Sequence, residues 1–405
     1  MTLENGTNGN EVAIAFSGGL DTSWLVAKYA SEGWLVHAIT VDTGGWTPKG
    51  RKALKAHALA LGATSHWMVE GRDALYDDHI SWLIRGNVLR GGVYPLCVGV
   101  ERVVQARLFA QKAKDLGIGT LVHGSTGAGN DQVRFDVTLR AIAPDALVLA
   151  PVRDQCVSRE ESSAWLAEHN LGALQKDDGI SINRGLWGTT AGGKETHHSW
   201  SEPTEENYTT TRTPQHAPEE GEILSVGFTE GLPTSINGVD VAGWRAIEQL
   251  AEIGANHGVG RGIHLGDTIL GIKGRIAFEA PAAAILVETH RELEKLTLTS
   301  GQRFWKDHLA SVYGGLVHEA RYLDPLARDI ESMMASSQAR VTGDARVFLR
   351  QGLVRVTGVR SPYSMMDVQE STYGEEAGLW SAADARGFSK IHGTAQWLSV
   401  KAGVL

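Results

Sequence analysis

Short apolar runs alternate with longer stretches in which apolar residues recur every three or four positions, and this alternation governs the first part of the chain. "VAIAF" (12–16) has the composition of a buried strand and is bounded by glycine. "DTSWLVAKYASEG" (21–33) then shows helical spacing and stops on Gly33. A second strand, "LVHAITVDT" (35–43), precedes a second helix pattern, "KALKAHALALGA" (52–63). "ERVVQARLFAQKAKDLGIG" (101–119) reads as another helix and leads into the strand "TLVHG" (120–124). Strands and helices in this order predict an α/β, doubly wound parallel sheet covered on both faces, spanning 11–172.

The pattern changes after that point. Residues 195–221 are polar, rich in threonine and proline, and without a period; a connection this long inside a compact protein is usually functional or disordered. Mixed segments follow, among them one long helical pattern over 282–314 and a β-rich stretch over 345–362. The division is a flexible N-terminus (1–10), the α/β domain (11–172), an α+β domain (173–365) and a C-terminal tail (366–405).

Composition narrows the class. A chain of 405 residues can bury two or three proper cores. No apolar run reaches the ~18 residues of a membrane span, and the polar start has no apolar signal core. Two cysteines, Cys97 and Cys156, neither frame a disulfide scaffold nor show metal-ligand spacing, which fits a reducing cytoplasm. A formal charge of −9 argues against a nucleic-acid surface. The expectation is a cytoplasmic enzyme of small molecules.

Chemistry concentrates at "AFSGGLDTS" (15–23), a glycine turn between strand and helix. Glycines let a backbone approach an anion closely, and a helix start adds unpaired N–H groups and partial positive charge. Ser17, Thr22 and Ser23 add hydroxyls. Neither the Walker P-loop nor G-x-G-x-x-G is present. A second loop, "LVHGSTGAGNDQVRFDV" (121–137), packs glycines, two hydroxyls, Asn130, Asp131 and Arg134 between strand and helix, a set able to hold an anion and to orient a zwitterion.

The first loop resembles the pyrophosphate loop of N-type ATP pyrophosphatases, and the second resembles the most recognisable string of the argininosuccinate synthase family. "YPL" (94–96) with Arg102, "LVLAPVRD" (147–154), "SINRGLWGTT" (181–190) and "NHGVGR" (256–261) extend the resemblance from residue 11 to roughly 395. It implies an adenine nucleotide α-hydrolase-like domain, a synthetase domain and a tail used in a homotetramer. It also implies ATP with Mg²⁺, an aspartate co-substrate and a ureido acceptor, citrulline, with no nucleic acid or membrane as partner.

By the same resemblance ATP lies on Ala15, Phe16, Ser17, Gly18, Gly19, Leu20, Asp21, Thr22, Ser23, Val41, Gly124, Ser125, Gly127 and Gly129. Aspartate is held by Thr126, Asn130 and Asp131. The acceptor meets Tyr94, Gly99, Arg102, Asn130, Arg134, Ser181, Thr190, Gly266 and Phe278. Asp21, Asn130 and Asp131 are the candidate catalytic residues, Asp21 for Mg²⁺ or loop ordering, and no protein metal site is expected. His123, in front of the second loop, reads as a packing residue.

Three acceptor positions depart from the family pattern. By the resemblance, Gly99 replaces a serine, Gly266 a glutamate and Phe278 a tyrosine, each a group that touches citrulline; Val98 replaces a threonine that touches aspartate, and Thr190 for serine is mild. Losing these groups uncompensated would weaken citrulline by roughly 3–5 kcal/mol, unless Asp267 supplies a carboxylate. Three readings stay open: an argininosuccinate synthase, a paralogue acting on a different ureido, carbamoyl or amide compound, and a non-catalytic nucleotide binder. A tRNA thiolase or glutamine amidotransferase would need a cysteine arrangement that Cys97 and Cys156 do not offer.

Overall fold

The computed structural model describes residues 10–174, 180–241, 243–368 and 379–403. The expected flexible lead-in over 1–9 and the acidic part of the tail over 369–378 lie outside the described residues. Strands β1 (Glu11–Ala15), β2 (Leu35–Asp42), β3 (Ser65–Glu70), β4 (Thr120–Val122) and β5 (Leu147–Leu149) form one parallel sheet in the order β3-β2-β1-β4-β5. The helices α1 (Leu20–Ser31), α2 (Pro48–Ala60), α3 (Cys97–Asp115) and α4 (Asp131–Ile142) belong to the same unit. Val12, Ala13 and Ile14 are fully buried, as a central strand covered on both faces requires.

The chain moves outward from β1 to β3 on one side and returns to the other side of β1 as β4. Ligands of open α/β sheets bind in the crevice at such a reversal, beyond the carboxyl ends of the strands. The two signature loops, 16–19 after β1 and 123–130 after β4, leave the sheet on either side of that crevice.

Helix α3 joins this sheet to the rest of the molecule. Its Val98, Val100 and Val104 belong to the large core of the second half, whereas Ala106, Phe109, Ala110 and Ala113 pack under the parallel sheet with Ile39 and Leu121. Gly99, Glu101 and Arg102 therefore sit at the junction.

The second half holds two antiparallel sheets. One contains β6 (Ser181–Arg184), β7 (Thr189–Gly192), β11 (Arg261–Asp267) and β12 (Lys273–Glu279) in the order β11-β12-β7-β6. The other contains β8 (Glu222–Thr229), β9 (Leu232–Ile236), β10 (Val239–Asp240), β13 (Gly343–Arg350) and β14 (Leu353–Arg360) in the order β10-β9-β8-β13-β14. Helices α5 (Trp244–Asn256) and α6 (Pro281–Thr297) pack on the second of these sheets, α7 (Ser300–His318) packs on α6 and α3, and α8 (Pro325–Gln338) packs on α7.

The single helix expected over 282–314 is two. Thr299 breaks it with a capping box, its hydroxyl accepting from Gln302 N at 3.3 Å while Gln302 Oε1 accepts from Thr299 N at 3.1 Å. The apolar period runs through the break, so the pattern hides it.

The polar segment 195–221 is an ordered strap over β11 and β12. The buried Glu279 carboxylate accepts from Thr209 N at 2.9 Å, Thr210 N at 3.0 Å, and Thr211 N and Oγ1 at 2.7 Å. Arg261 donates to Glu205 Oε2 at 2.8 Å and to Thr211 O at 2.8 Å, and Arg275 donates to Glu195 O at 3.2 Å and Ser201 O at 2.6 Å. Threonines that carry no apolar period supply these backbone donors. The tail forms helices Ala382–His392 and Thr394–Lys401, which bury no side chain and leave Phe388, Ile391 and Trp397 exposed. No helix among the described residues is long and apolar enough to cross a membrane.

Candidate active site

The first loop is built to present backbone. Gly18 adopts φ +75°, a conformation that L side chains rarely take, and a Cβ there would lie 2.6 Å from Leu54 Cδ1. Gly19 is the N-cap of α1, so the first turn has no side-chain cap. Ser17 and Thr22 brace each other: Ser17 N donates to Thr22 Oγ1 at 3.3 Å, and Thr22 Oγ1 donates to Gly19 O at 3.3 Å.

Ser23 is turned elsewhere. It is fully buried, its hydroxyl pairs with His57 Nε2 at 3.0 Å and its N–H donates to Gly19 O at 2.9 Å, so it supports the turn from behind. Phe16 is buried between His57 and His66, ring centroids 6.0 Å from each. Burial lowers both imidazoles, and with Lys55 it takes His66 to about 4, which keeps charge off the floor of the loop. Val41, at the end of β2, packs against Gly71, whose Cβ would sit 2.9 Å from Val41 Cγ1. Ala15 ends β1, Leu20 and the half-buried Asp21 open α1.

The second loop touches the first. A Cβ on Gly124 would come within 3.0 Å of Thr22 Cγ2, so only glycine lets the two approach. Ser125 is half-buried, while Thr126, Gly127 and Gly129 are exposed at the tip. Gln132 Nε2 donates to Gly127 O at 2.6 Å and holds the tip down. His123 does more than pack: it pairs through Nε2 with Asp136 Oδ1 at 3.0 Å, and Asp136 Oδ2 accepts from Arg153 at 2.6 Å. The His123 hydrogen bond and Arg153, outweighing burial, hold the Asp136 carboxyl down at about 2.

Behind the tip lies a charged knot. Asp131 Oδ2 accepts from Arg102 Nε at 2.9 Å and Oδ1 from Arg134 Nη1 at 3.2 Å. Arg102 also donates to Gln105 Oε1 at 2.8 Å and to Asn183 Oδ1 at 2.6 Å, and Arg134 Nε donates to His318 O at 3.1 Å. Both oxygens of Asp131, expected to hold the aspartate co-substrate together with Thr126 and Asn130, are thus engaged by arginine. Asn130 Oδ1 accepts from Ile269 N at 2.9 Å and ties the loop to the β11–β12 turn. Asn183, Gln105 and His318 join the knot although the sequence did not single them out; their signal exists only after three distant elements meet.

The expected acceptor residues gather beside this knot. Tyr94 stacks on His264 with centroids 5.1 Å apart and meets Phe278 at 5.3 Å. Thr190 pairs across the sheet with Phe278 and with Asn183. Gly99 lies under Arg134, whose Nη2 would be 3.1 Å from a Cβ. Ser181, on edge strand β6, is exposed, two positions from Asn183 on the same face. Asp267 does not replace the missing glutamate here: its exposed carboxylate pairs with Lys273 at 2.6 Å.

Glu101 is the surprise beneath the site. It is buried, accepts from Thr43 Oγ1 at 3.0 Å, and has the backbone of Gly185 where any side chain would collide with it. Burial, only partly offset by Arg102, raises its carboxyl from 4.5 to about 8. With the folded value raised, its contribution to stability is full below the ordinary carboxylate range and is lost as pH rises through about 8. Glu101→Gln is expected to stabilise the protein by on the order of a few kcal/mol at pH 9 and to change little at pH 5, in urea unfolding at both values.

Residues 11–172 match the family profile described as "Arginosuccinate synthase N-terminal HUP domain", and residues 180–398 match "Arginosuccinate synthase C-terminal domain". The argininosuccinate synthase of Xanthomonas axonopodis pv. citri is 34% identical over 392 residues, covering 96% of this chain and 94% of that protein. That of Rubrobacter xylanophilus is 33% identical over 395 residues, 97% of this chain and 96% of the relative. That of Synechocystis is 34% identical over 386 residues, 95% and 96% respectively. With both domains matched and relatives aligned nearly end to end, the chain belongs to the argininosuccinate synthase family.

Proposed function

We propose that this protein is an AMP-forming carbon–nitrogen ligase that condenses citrulline with aspartate. The observation that carries the reading is the contact of the two glycine loops across the strand reversal, with the Arg102–Asp131–Arg134 knot beside it. In the first step the ureido oxygen attacks the α-phosphorus of ATP, the bond to the β-phosphate oxygen breaks, and pyrophosphate leaves. In the second, the aspartate amine attacks the activated carbon, loses a proton and expels AMP. Backbone N–H groups at Gly18, Gly19 and the first turn of α1 receive the pyrophosphate end. Gly124, Ser125, Gly127 and Gly129 face the nucleotide from the other side, Thr126 and Asn130 receive aspartate, and Asp131 fixes the two guanidiniums. Positioning and preorganised charge supply the rate.

Among the described residues no three His, Cys, Asp or Glu side chains converge on a point, so Mg²⁺ fits as a counter-ion on the nucleotide phosphates, with Asp21 as the carboxylate of that turn. Mg²⁺ supplies neutralisation of phosphate charge. The exposed apolar side chains of the two tail helices support a homotetramer in which tails reach neighbouring subunits, and the composition supports a cytoplasmic location.

The test is pyrophosphate release with ATP, aspartate and citrulline, each omitted in turn. Release that needs all three is expected; a protein silent with citrulline would overturn the reading. Gly18→Val, which places a branched side chain at φ +75° against Leu54, is expected to lower kcat/KM for ATP about a hundredfold or more while the circular dichroism spectrum is retained.

A further inference from the structure

His264 has no counterpart in the chemistry assigned so far. Its imidazole is only 9% exposed and lies nearly parallel to Tyr94, at 18°. Two glycines make its space: a Cβ on Gly266 would lie 2.5 Å from its Nε2, and one on Gly91 would lie 3.2 Å from its Cε1. Among the described residues, neither ring nitrogen has a hydrogen-bond partner. Neither nitrogen is sealed from solvent, so the ring edge lies open to a ligand beside Tyr94.

The surroundings say what that is. Arg134 and Arg90 bear on neighbouring His318, and Arg90 bears on His264 itself. The nearby acid Asp267 is turned out to Lys273, and Asp131 is spent on Arg102 and Arg134. Burial first, then Arg90, lowers the His264 pKa, so the ring is neutral near pH 7 and offers one N–H donor. A neutral donor beside arginines suits an anion, and the anion on a ureido amino acid is its carboxylate.

We infer that His264 donates a hydrogen bond to the carboxylate of the acceptor substrate and is a specificity-determining residue of this ligase. The inference rests on the proposed ligase reading. It is tested by steady-state pyrophosphate release and by calorimetric titration, using citrulline and citrullinamide, in which the carboxylate is a neutral amide. His264→Leu raises the KM and the Kd for citrulline roughly ten- to a hundredfold, the worth of one hydrogen bond to a charged group, and leaves the KM values for ATP and aspartate unchanged. His264→Gln, which keeps an N–H, recovers part of the loss. Gly266→Ala, whose methyl displaces the ring edge, reproduces the Leu variant with His264 itself unsubstituted. With citrullinamide, wild type and His264→Leu bind alike. Citrulline binding within twofold of wild type in His264→Leu overturns the inference, as does an equal penalty on citrullinamide. A wild-type protein that binds citrulline but releases no pyrophosphate removes the ligase reading instead, and the binding ratio still decides His264.

Discussion

Asp131→Asn is expected to lower kcat/KM for the acceptor by about two orders of magnitude and to leave the KM for ATP nearly unchanged. The substitution keeps the shape and removes the charge that Arg102 and Arg134 share. Each charge-assisted hydrogen bond is worth about 1.5–3 kcal/mol, and the two guanidiniums are then left to repel each other. Two such losses span about 3–6 kcal/mol, or roughly two to four orders of magnitude. The Asp131 side chain is 39% exposed, which places the expectation at the lower end. The effect should fall on the acceptor because Arg134 lies over Gly99 and Arg102 reaches Asn183, both next to the Tyr94–Phe278 pocket. Steady-state kinetics varying each substrate checks it; a loss under tenfold, or one confined to ATP, would show that the knot does not position the acceptor.

The second large effect is on stability. Lys306 is fully buried and pairs with Glu294 Oε2 at 2.9 Å. Glu294 also accepts from Asn87 Nδ2 and Gln338 Nε2, both at 2.6 Å, while His290 bridges Asn87 Oδ1 at 2.7 Å and Gln338 Oε1 at 2.8 Å. Lys306→Met leaves a carboxylate in the core without its cation, which costs about 3–5 kcal/mol. In a protein of this size that lowers the unfolding midpoint by roughly 4–6 °C. Adding Glu294→Gln removes the orphan charge and keeps an acceptor for Asn87, so the double variant should regain at least half of the loss. Scanning calorimetry of the two proteins decides; equal midpoints for Lys306→Met and the parent would mean that the ion pair contributes nothing.

The parallel sheet was legible through β1, β2 and β4, whose apolar runs stand out, while β3 (Ser65–Glu70) and the three-residue β5 (Leu147–Leu149) carry too little pattern to be read; the two glycine loops were legible because a backbone that must approach an anion needs glycine at fixed places. Thr299 was not legible as a break, since apolar spacing continues through it and only the capping geometry stops the helix. The strap over 195–221 was opaque for a related reason: its anchors, Glu279, Arg261 and Arg275, lie 50 or more residues downstream and act on main-chain groups. Ser23 looked like a ligand-facing hydroxyl because spacing alone cannot say which face of the first turn meets α2. Gly99 and Gly266 read as losses from the family pattern. In the fold each is space taken by another side chain, Arg134 and His264, and only packing shows an occupant.

Helix α3 lends residues to both cores, and this limits how the molecule can be divided. A fragment ending near 172 would carry Leu83, Ile84, Val98, Val100 and Val104 with the surface they pack against missing. Such a piece, made alone, would turn that greasy flank to water, an invitation to clump. The halves of this ligase are therefore matched parts of a single cooperative object, and a genetic fusion or exchange with a relative should move both together.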